Sequence, residues 1–159
     1  MEIQYCDYTR DYKNQLIYLE NFQWGEGSDS DYHTNIDKYI IKLAVVDNKA
    51  IGCCVSHKEK DYFYIDMITI LPEFQKFRIG THFLKDAINC AMSNGYNRVE
   101  CVAIEAKNHV NSQKLLENFG FKRTESIEKY WGRLLPNFYC KECEHSPCIC
   151  TMHHYVKDL

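Results

Sequence analysis

No run in this chain approaches the roughly 20 consecutive apolar residues that a membrane-spanning helix needs. Basic residues are in the minority, 19 Lys and Arg against 22 Asp and Glu, which leaves a net charge of −3. A protein that holds nucleic acid regardless of sequence needs a basic surplus to displace counterions, so neither a membrane nor a nucleic acid is expected as partner. Proline is scarce, with three residues in 159, and no Pro- or Ser-rich linker, internal repeat or low-complexity segment divides the chain. One domain over residues 1–159 is expected. Met1-Glu2-Ile3-Gln4 is acidic and no apolar run follows, which is not the pattern of a secretory signal. The expected compartment is the cytoplasm.

Cysteine, by contrast, is abundant. Of nine, Cys6, Cys53, Cys54, Cys90 and Cys101 are scattered among apolar neighbours, where a reduced cysteine acts as a small hydrophobe. Cys140, Cys143, Cys148 and Cys150 are gathered near the carboxy terminus in the pattern Cys-x2-Cys-x4-Cys-x-Cys. An odd count in a reducing compartment, together with this cluster, favours metal over a disulfide framework. Zinc takes four thiolates tetrahedrally, and a closed four-ligand site is structural. The reading is a zinc-binding Cys/His-rich loop over 138–154, inserted between the last two strands, with His145, His153 and His154 as spare ligands. An iron–sulfur cluster suits so short a loop less well, and free or redox-active cysteines in a flexible loop are the plain alternative.

Hydrophobic periodicity places the elements. Glu2 to Thr9 reads as a strand and Asp11 to Phe22 as an amphipathic helix through Leu16, Leu19 and Phe22. Trp24 to Asp29 reads as a loop, and Tyr32 to Tyr39 as a second short helix. Three strands follow, Ile41 to Val46, Ala50 to Ser56 and Tyr62 to Leu71, separated by the polar turns Asp47-Asn48-Lys49 and 57–61. Gly80 to Met92 is the clearest helix, with Phe83, Leu84, Ala87, Ile88 and Ala91 on one stripe and Asn94-Gly95 as its stop. Val99 to Ile104 is a strand, Asn111 to Phe119 a helix, and Phe121 to Trp131 and Met152 to Leu159 two closing strands. The order specifies a mixed α/β domain around one sheet.

One segment carries more than packing. An apolar strand ends at Leu71-Pro72, a short loop contains Lys76 and Arg78, and a strong helix opens at Gly80. A helix amino terminus offers unpaired N–H groups and a positive dipole end, so such a junction suits phosphate, with the two cations adding charge-assisted contacts.

The run Ile70 to Thr81 resembles the acetyl-coenzyme A signature of the GCN5-related N-acetyltransferases, Gln/Arg-x-x-Gly-x-Gly/Ala, with Gln75 and Gly80 at its ends and Arg78 in place of the middle glycine. Downstream, Asn111 to Phe121 resembles a later motif of the same family. Ser112, Leu115, Glu117, Gly120 and Phe121 are in register, His109 stands in the asparagine column between Asn108 and Asn111, and Leu116 replaces a tyrosine that protonates the leaving thiolate in many members. The resemblance implies a mostly antiparallel sheet of about seven strands, splayed between the fourth and fifth, with helices on both faces. It implies acetyl-CoA as co-substrate and direct attack by an amine of a small molecule or protein. It also implies pantetheine contacts from the backbone of Ile68 and Ile70, a diphosphate cradle at Gln75, Lys76, Phe77, Arg78, Ile79, Gly80 and Thr81, and a further contact from Asn108 or Asn111. Dimers are common in such a family, so a homodimer is the assembly it suggests.

Direct attack needs a base near neutral pH. Alternation along the strand puts Asp66 on the face of Ile68 and Ile70, and Glu105 ends the fifth strand at the mouth of the splay. Both are candidate bases, against structural roles as a hydrogen-bonded aspartate and a solvated carboxylate. Tyr64 and Tyr130 are candidates for the missing tyrosine. Trp24, Glu26, Asp29, Asp31 and Tyr32 fall where such proteins line the acceptor side, and acidic and aromatic residues suit a cationic amine. The competing class is a non-catalytic acyl-CoA-binding or zinc-dependent interaction module.

Overall fold

The structure, a computed structural model, describes residues 2–26 and 30–159. Its strands are β1 (Gln4–Asp7), β2 (Tyr39–Val46), β3 (Lys49–Lys58), β4 (Phe63–Ile70), β5 (Arg98–Ala106), β6 (His109–Val110), β7 (Lys122–Glu128) and β8 (Thr151–Asp158). Its helices are α1 (Lys13–Trp24), α2 (Ile79–Ser93), α3 (Gln113–Asn118) and α4 (Tyr130–Leu134). One sheet runs β1-β2-β3-β4-β5-β8-β7, with the two-residue β6 paired to β5. All neighbours are antiparallel except β4 and β5. Among the described residues, no helix is long and apolar enough to cross a membrane.

The sheet is covered on both faces. Leu16 and Leu19 of α1 pack with Leu43, Cys53, Val55 and Met67 on one side. Phe83, Leu84, Ala87, Ile88 and Ala91 of α2 pack with Cys54, Ile65, Val99 and Cys101 on the other. Each such large side chain, fully buried, contributes about 1.5–3 kcal/mol. β3 lies between two neighbours and under both helices, which is why Ala50 to Ser56 are buried on both faces.

Residues 32–38 form turns, not the expected helix. The amides of Thr34 and Asn35 donate to the Asp31 carbonyl and that of Lys38 to the Asn35 carbonyl, so the backbone closes separate turns. The Asp31 carboxylate holds them by accepting from Asn35 Nδ2 at 2.5 Å and from the Tyr39 hydroxyl at 2.6 Å. Glu20 of α1, 1% exposed, ties this segment down. It accepts from Ser30 Oγ at 2.9 Å, from the His33 amide at 3.0 Å and lies 2.9 Å from His33 Nδ1. Glu20→Ala removes the buried carboxylate that His33 pairs with and is expected to cost about 3 kcal/mol, the lower end for a broken buried pair because His33 keeps some access to water. Urea unfolding of the variant measures it.

Two further departures from the sequence reading concern the carboxy-terminal third. The strand expected over Phe121 to Trp131 stops at Glu128; Lys129 turns left-handed at φ 54° and α4 follows. The strand Val99 to Ile104 runs on to Ala106 and folds back through Lys107 and Asn108, both at positive φ, into β6. The sheet thus has eight strands, where about seven are expected.

Candidate active site and cysteine knuckle

The register between β4 and β5 is short. Phe63 pairs with Val99, Tyr64 with Glu100 and Ile65 with Cys101, and there the pairing ends. Beyond it the strands diverge around a cleft of about 480 Å³, lined by Ile68, Ile70, Gln75, Gly80, Ala103 and Asn111 among others. The Leu71 amide donates to the Ile51 carbonyl on β3 at 2.9 Å. With the two-residue period of a strand, Thr69 and Met67 also turn their backbone toward β3, so Ile68 and Ile70 turn theirs toward the cleft. In agreement, the Ile70 carbonyl accepts from Gln75 Nε2 at 3.2 Å.

α2 starts at the mouth of this cleft. Its N-cap, Arg78, provides no side-chain cap, and the first helical bond runs from the His82 amide to the Arg78 carbonyl. The amides of Ile79, Gly80 and Thr81 precede that bond and carry the positive end of the dipole. Arg78 itself is left-handed, φ 58° and ψ 21°, a conformation costing a non-glycine residue about 1–2 kcal/mol. The backbone therefore makes the glycine-type turn although the residue is arginine. Lys76, Phe77, Arg78 and Thr81 are exposed at this corner, whereas the Ile79 side chain is core. A Cβ on Gly80 would lie 3.3 Å from Ile70 Cδ1 and 3.4 Å from Leu115 Cδ2, so α2 sits close against β4 and α3 here and a larger residue would press on those two side chains.

Asp66 is not on the face of Ile68 and Ile70. Val55 pairs with Met67 and Ser56 with Ile65, so Asp66 is the extra residue of a β-bulge. The bulge inverts the alternation: Phe63, Ile65, Ile68 and Ile70 face α2, while Tyr64, Asp66, Met67 and Thr69 face α1. Asp66 lies in the wall of a second pocket, about 310 Å³, which adjoins the cleft and is lined by Trp24, Tyr32, Tyr64, Trp131 and Phe138. Its Oδ2 is 2.6 Å from His57 Nδ1, and His57 Nε2 is 2.9 Å from Glu59 Oε1 near the surface. Burial pushes the Asp66 carboxyl up, against the downward pull of the His57 hydrogen bond. Burial also pushes up the Tyr64 phenol, helped by the nearby Asp66 charge.

Other candidates are dispersed. Glu105 faces away from the cleft: its Oε2 is 2.5 Å from His153 Nε2, whose Nδ1 meets Ser126 Oγ at 2.6 Å, and it borders a separate depression outside α3. Asn108, at the left-handed tip of the β5–β6 turn, borders that same depression, whereas Asn111 and His109 reach the cleft. Leu116 fills the tyrosine position on the cleft wall. Of the acceptor-side residues, Trp24 and Tyr32 line the second pocket, Asp31 is spent on the turn, Glu26 borders a neighbouring groove, and Asp29 lies outside the described residues. His57 and Glu142 escape the sequence reading; both are polar residues in turn-like sequence, and only the fold brings His57 against Asp66 and Glu142 to the pocket.

The chain from Tyr139 to Cys150 is a knuckle. The Cys140 amide donates to the His145 carbonyl at 3.0 Å and the bond is returned at 3.3 Å. The four sulfurs of Cys140, Cys143, Cys148 and Cys150 all lie within 4.8 Å of one another, with Cys140–Cys150 at 3.8 Å and Cys143–Cys148 at 3.9 Å. A tetrahedral ion with metal–sulfur bonds of about 2.3 Å has sulfur–sulfur edges of about 3.8 Å. The set therefore fits one tetrahedral metal ion. Burial works to raise the Cys143 thiol, but hydrogen bonds from the Ile149 amide and the neighbouring thiols bring it down to about 7. Burial pushes Cys148 up to about 11. A metal ion would ionise all four. The spare histidines are engaged elsewhere: His145 with the Pro147 carbonyl, His153 with Glu105, and His154 with Glu100.

The sequence profile of the acetyltransferase (GNAT) family matches residues 1–121, three quarters of the chain. This protein belongs to the GNAT acetyltransferase family. A search of curated proteins finds no match. Among solved structures, a GNAT acetyltransferase of Elizabethkingia anophelis with acetyl-CoA bound aligns over 99% of this chain and 98% of its own at 19% identity, with a TM-score of 0.73. An IAA acetyltransferase of Bacillus cereus aligns over 99% and 100% at 16% identity, TM-score 0.76. Arabidopsis thaliana Naa50, in complex with the bisubstrate analogue CoA-Ac-MVNAL, aligns over 100% of both chains at 16% identity, TM-score 0.73. The splayed GNAT sheet is thus the fold of this chain, and acyl-CoA-dependent N-acetyl transfer is its activity.

Proposed function

We propose that residues 1–159 work as one GNAT domain in which the β4–β5 cleft holds acetyl-CoA, the adjoining aromatic pocket holds the amine, and Asp66 is the base. The observation that carries this is the meeting of two pockets at one bulge. The cleft is lined by Ile68 and Ile70, whose backbone turns toward it, the Ile70 carbonyl accepting from Gln75 Nε2, and the second pocket has a largely buried carboxylate in its wall. A protein built only to bind acyl-CoA has no use for a second pocket whose wall carries that carboxylate.

Acetyl-CoA supplies an electrophilic thioester carbonyl. Ile68 and Ile70 would bond the pantetheine amides as an added strand does. The amides of Ile79 to Thr81, with Lys76 and Arg78, would hold the diphosphate, and Asn111 closes the cleft from the β6 side. The amine enters as an ammonium and must shed a proton before its lone pair attacks. Asp66 takes that proton, directly or through one water. His57 and Glu59 then offer it a path to solvent. As the new C–N bond forms and the C–S bond breaks, the nitrogen loses a further proton and one proton ends on the coenzyme A sulfur. Leu116 cannot supply it, which leaves the departing proton of the nitrogen itself as the source.

We infer that the knuckle binds one zinc ion through Cys140, Cys143, Cys148 and Cys150, as a closed structural site. The cradle is tested by charge. Lys76→Glu with Arg78→Glu is expected to weaken coenzyme A binding about tenfold or more at low ionic strength, less in high salt. Acetyl-pantetheine, which lacks the nucleotide diphosphate, should bind the double variant and the parent alike. Calorimetry showing equal coenzyme A affinity would place the diphosphate elsewhere.

A further inference from the structure

The cysteine knuckle does more than close a loop, because two of its residues reach the substrate pockets. Lys141 and Glu142, the pair between Cys140 and Cys143, border both the cleft and the amine pocket. Their charges part company. The Lys141 ammonium sits 4.3 Å above the Phe22 ring on α1. Glu142 is half-buried where the two pockets join, and Asp66 lies in the wall of the same amine pocket. Trp24, which also borders both pockets, has its indole Nε1 buried without a hydrogen-bond partner among the described residues. A buried donor of that kind calls for an acceptor atom, which an ammonium lacks and which acetyl-CoA in the adjoining cleft would have to bring, so Trp24 offers the amine its ring face alone.

The knuckle is seated firmly enough to place Glu142. Cys140, Cys148 and Cys150 pack with Ile104 and Ala106 of β5 and with Trp131 of α4. On α4, a Cβ at Gly132 would collide with the Cys148 carbonyl, so helix and knuckle touch backbone to backbone. A Lys107–Glu144 ion pair ties the knuckle to the β5–β6 turn.

Resting on the acetyltransferase reading, we propose that the acceptor is a cationic amine with an apolar body and no carboxylate beside its amine. Glu142, presented by the metal knuckle, is the residue that selects it. The aromatic faces of Trp24, Tyr32, Tyr64 and Trp131 accommodate the apolar body and favour a cation. Two carboxylates on one pocket attract the ammonium and repel an acceptor that carries an anion next to it. Metal loading and acceptor choice are thereby linked, since Cys140 and Cys143, which bracket the Lys141-Glu142 pair, are among the four cysteines proposed as ligands.

Phenethylamine and phenylalanine form the test pair: the same ring and amine, with a carboxylate added in the second. Each is titrated calorimetrically into the purified, metal-loaded protein saturated with coenzyme A. Phenethylamine is expected to bind at least about tenfold more tightly, the effect of one well-placed charge. In Glu142→Gln the two should bind within about threefold of each other, with zinc content and coenzyme A affinity unchanged as the check on folding. Zinc-stripped protein should lose the preference in the same way. An unchanged preference in Glu142→Gln overturns the proposal, as does failure of phenethylamine to bind a protein that binds coenzyme A. Failure to bind coenzyme A itself would overturn the acetyltransferase reading instead.

Discussion

Asp66→Asn lowers kcat about a hundred- to ten-thousandfold, the range for loss of a positioned base, while the affinity for coenzyme A stays within about twofold of the parent. The two quantities separate because the bulge puts Asp66 where the cleft meets the proposed amine pocket, away from the diphosphate cradle proposed at Gln75 to Thr81. Thiol release under saturating substrates gives the first and calorimetry the second. A variant as fast as its parent means that another group takes the proton. The pH profile adds a signed check. Burial raises the Asp66 carboxyl and His57 works against that rise, with Lys38 also lowering it and Asp31 raising it further. Activity needs the ionised carboxylate, so the rate climbs with pH as Asp66 loses its proton. His57→Ala removes a downward influence, raises the carboxyl further and moves the climbing limb to higher pH, with the deepest loss of activity on the acid side. A limb that stays in place, or moves to lower pH, would show that His57 and Asp66 are not coupled during turnover.

Stripping the metal is the second large effect. Purified protein is expected to carry one zinc per chain by elemental analysis. At free zinc about a hundredfold above Kd, binding contributes about 2.7 kcal/mol. For a domain of this size about 1 kcal/mol moves Tm by about 2–4 °C, so a chelator or Cys143→Ser should lower Tm by about 5–10 °C. Coenzyme A binding should survive, because the knuckle packs on Ile104, Ala106 and Trp131 while the diphosphate cradle proposed at Gln75 to Thr81 makes no part of that packing. Finding no zinc, or a Tm indifferent to the chelator, would leave four reduced thiols packed for their own sake.

The strand–turn–helix corner of the candidate cofactor cleft was legible from residues because it depends on local chain grammar: strand, Pro72, Gln75, Gly80, helix. Arg78 shows how far that grammar reaches, since the left-handed turn persists with a residue that bears its cost. The amine half was legible only in part. Strict alternation assigned Asp66 to the wrong face because a bulge adds one residue without a mark in the sequence, and every side chain beyond it is turned over. Glu105 was placed by its position at the end of the fifth strand and Asn108 by its place beside the family motif's asparagine column, whereas Glu105 points from β5, and Asn108 from the β5–β6 turn, to a depression outside the cleft. The segment 32–38 has helical spacing, but its backbone bonds close separate turns, Thr34 and Asn35 to the Asp31 carbonyl and Lys38 to the Asn35 carbonyl, and the Asp31 carboxylate pins them through the Asn35 and Tyr39 side chains. α4 is five residues long, too short for periodicity to register, and it depends on the backbone contact between Gly132 and Cys148.

Amide hydrogen exchange with and without acetyl-CoA reads the central arrangement at single residues. Ile68 and Ile70 on β4, together with Ile79 to Thr81 at the start of α2, should exchange markedly more slowly when acetyl-CoA is present, while Met67 and Thr69, already bonded to β3, should not change. Unaltered exchange at Ile68 and Ile70 under saturating acetyl-CoA would contradict a thioester arm lying along β4.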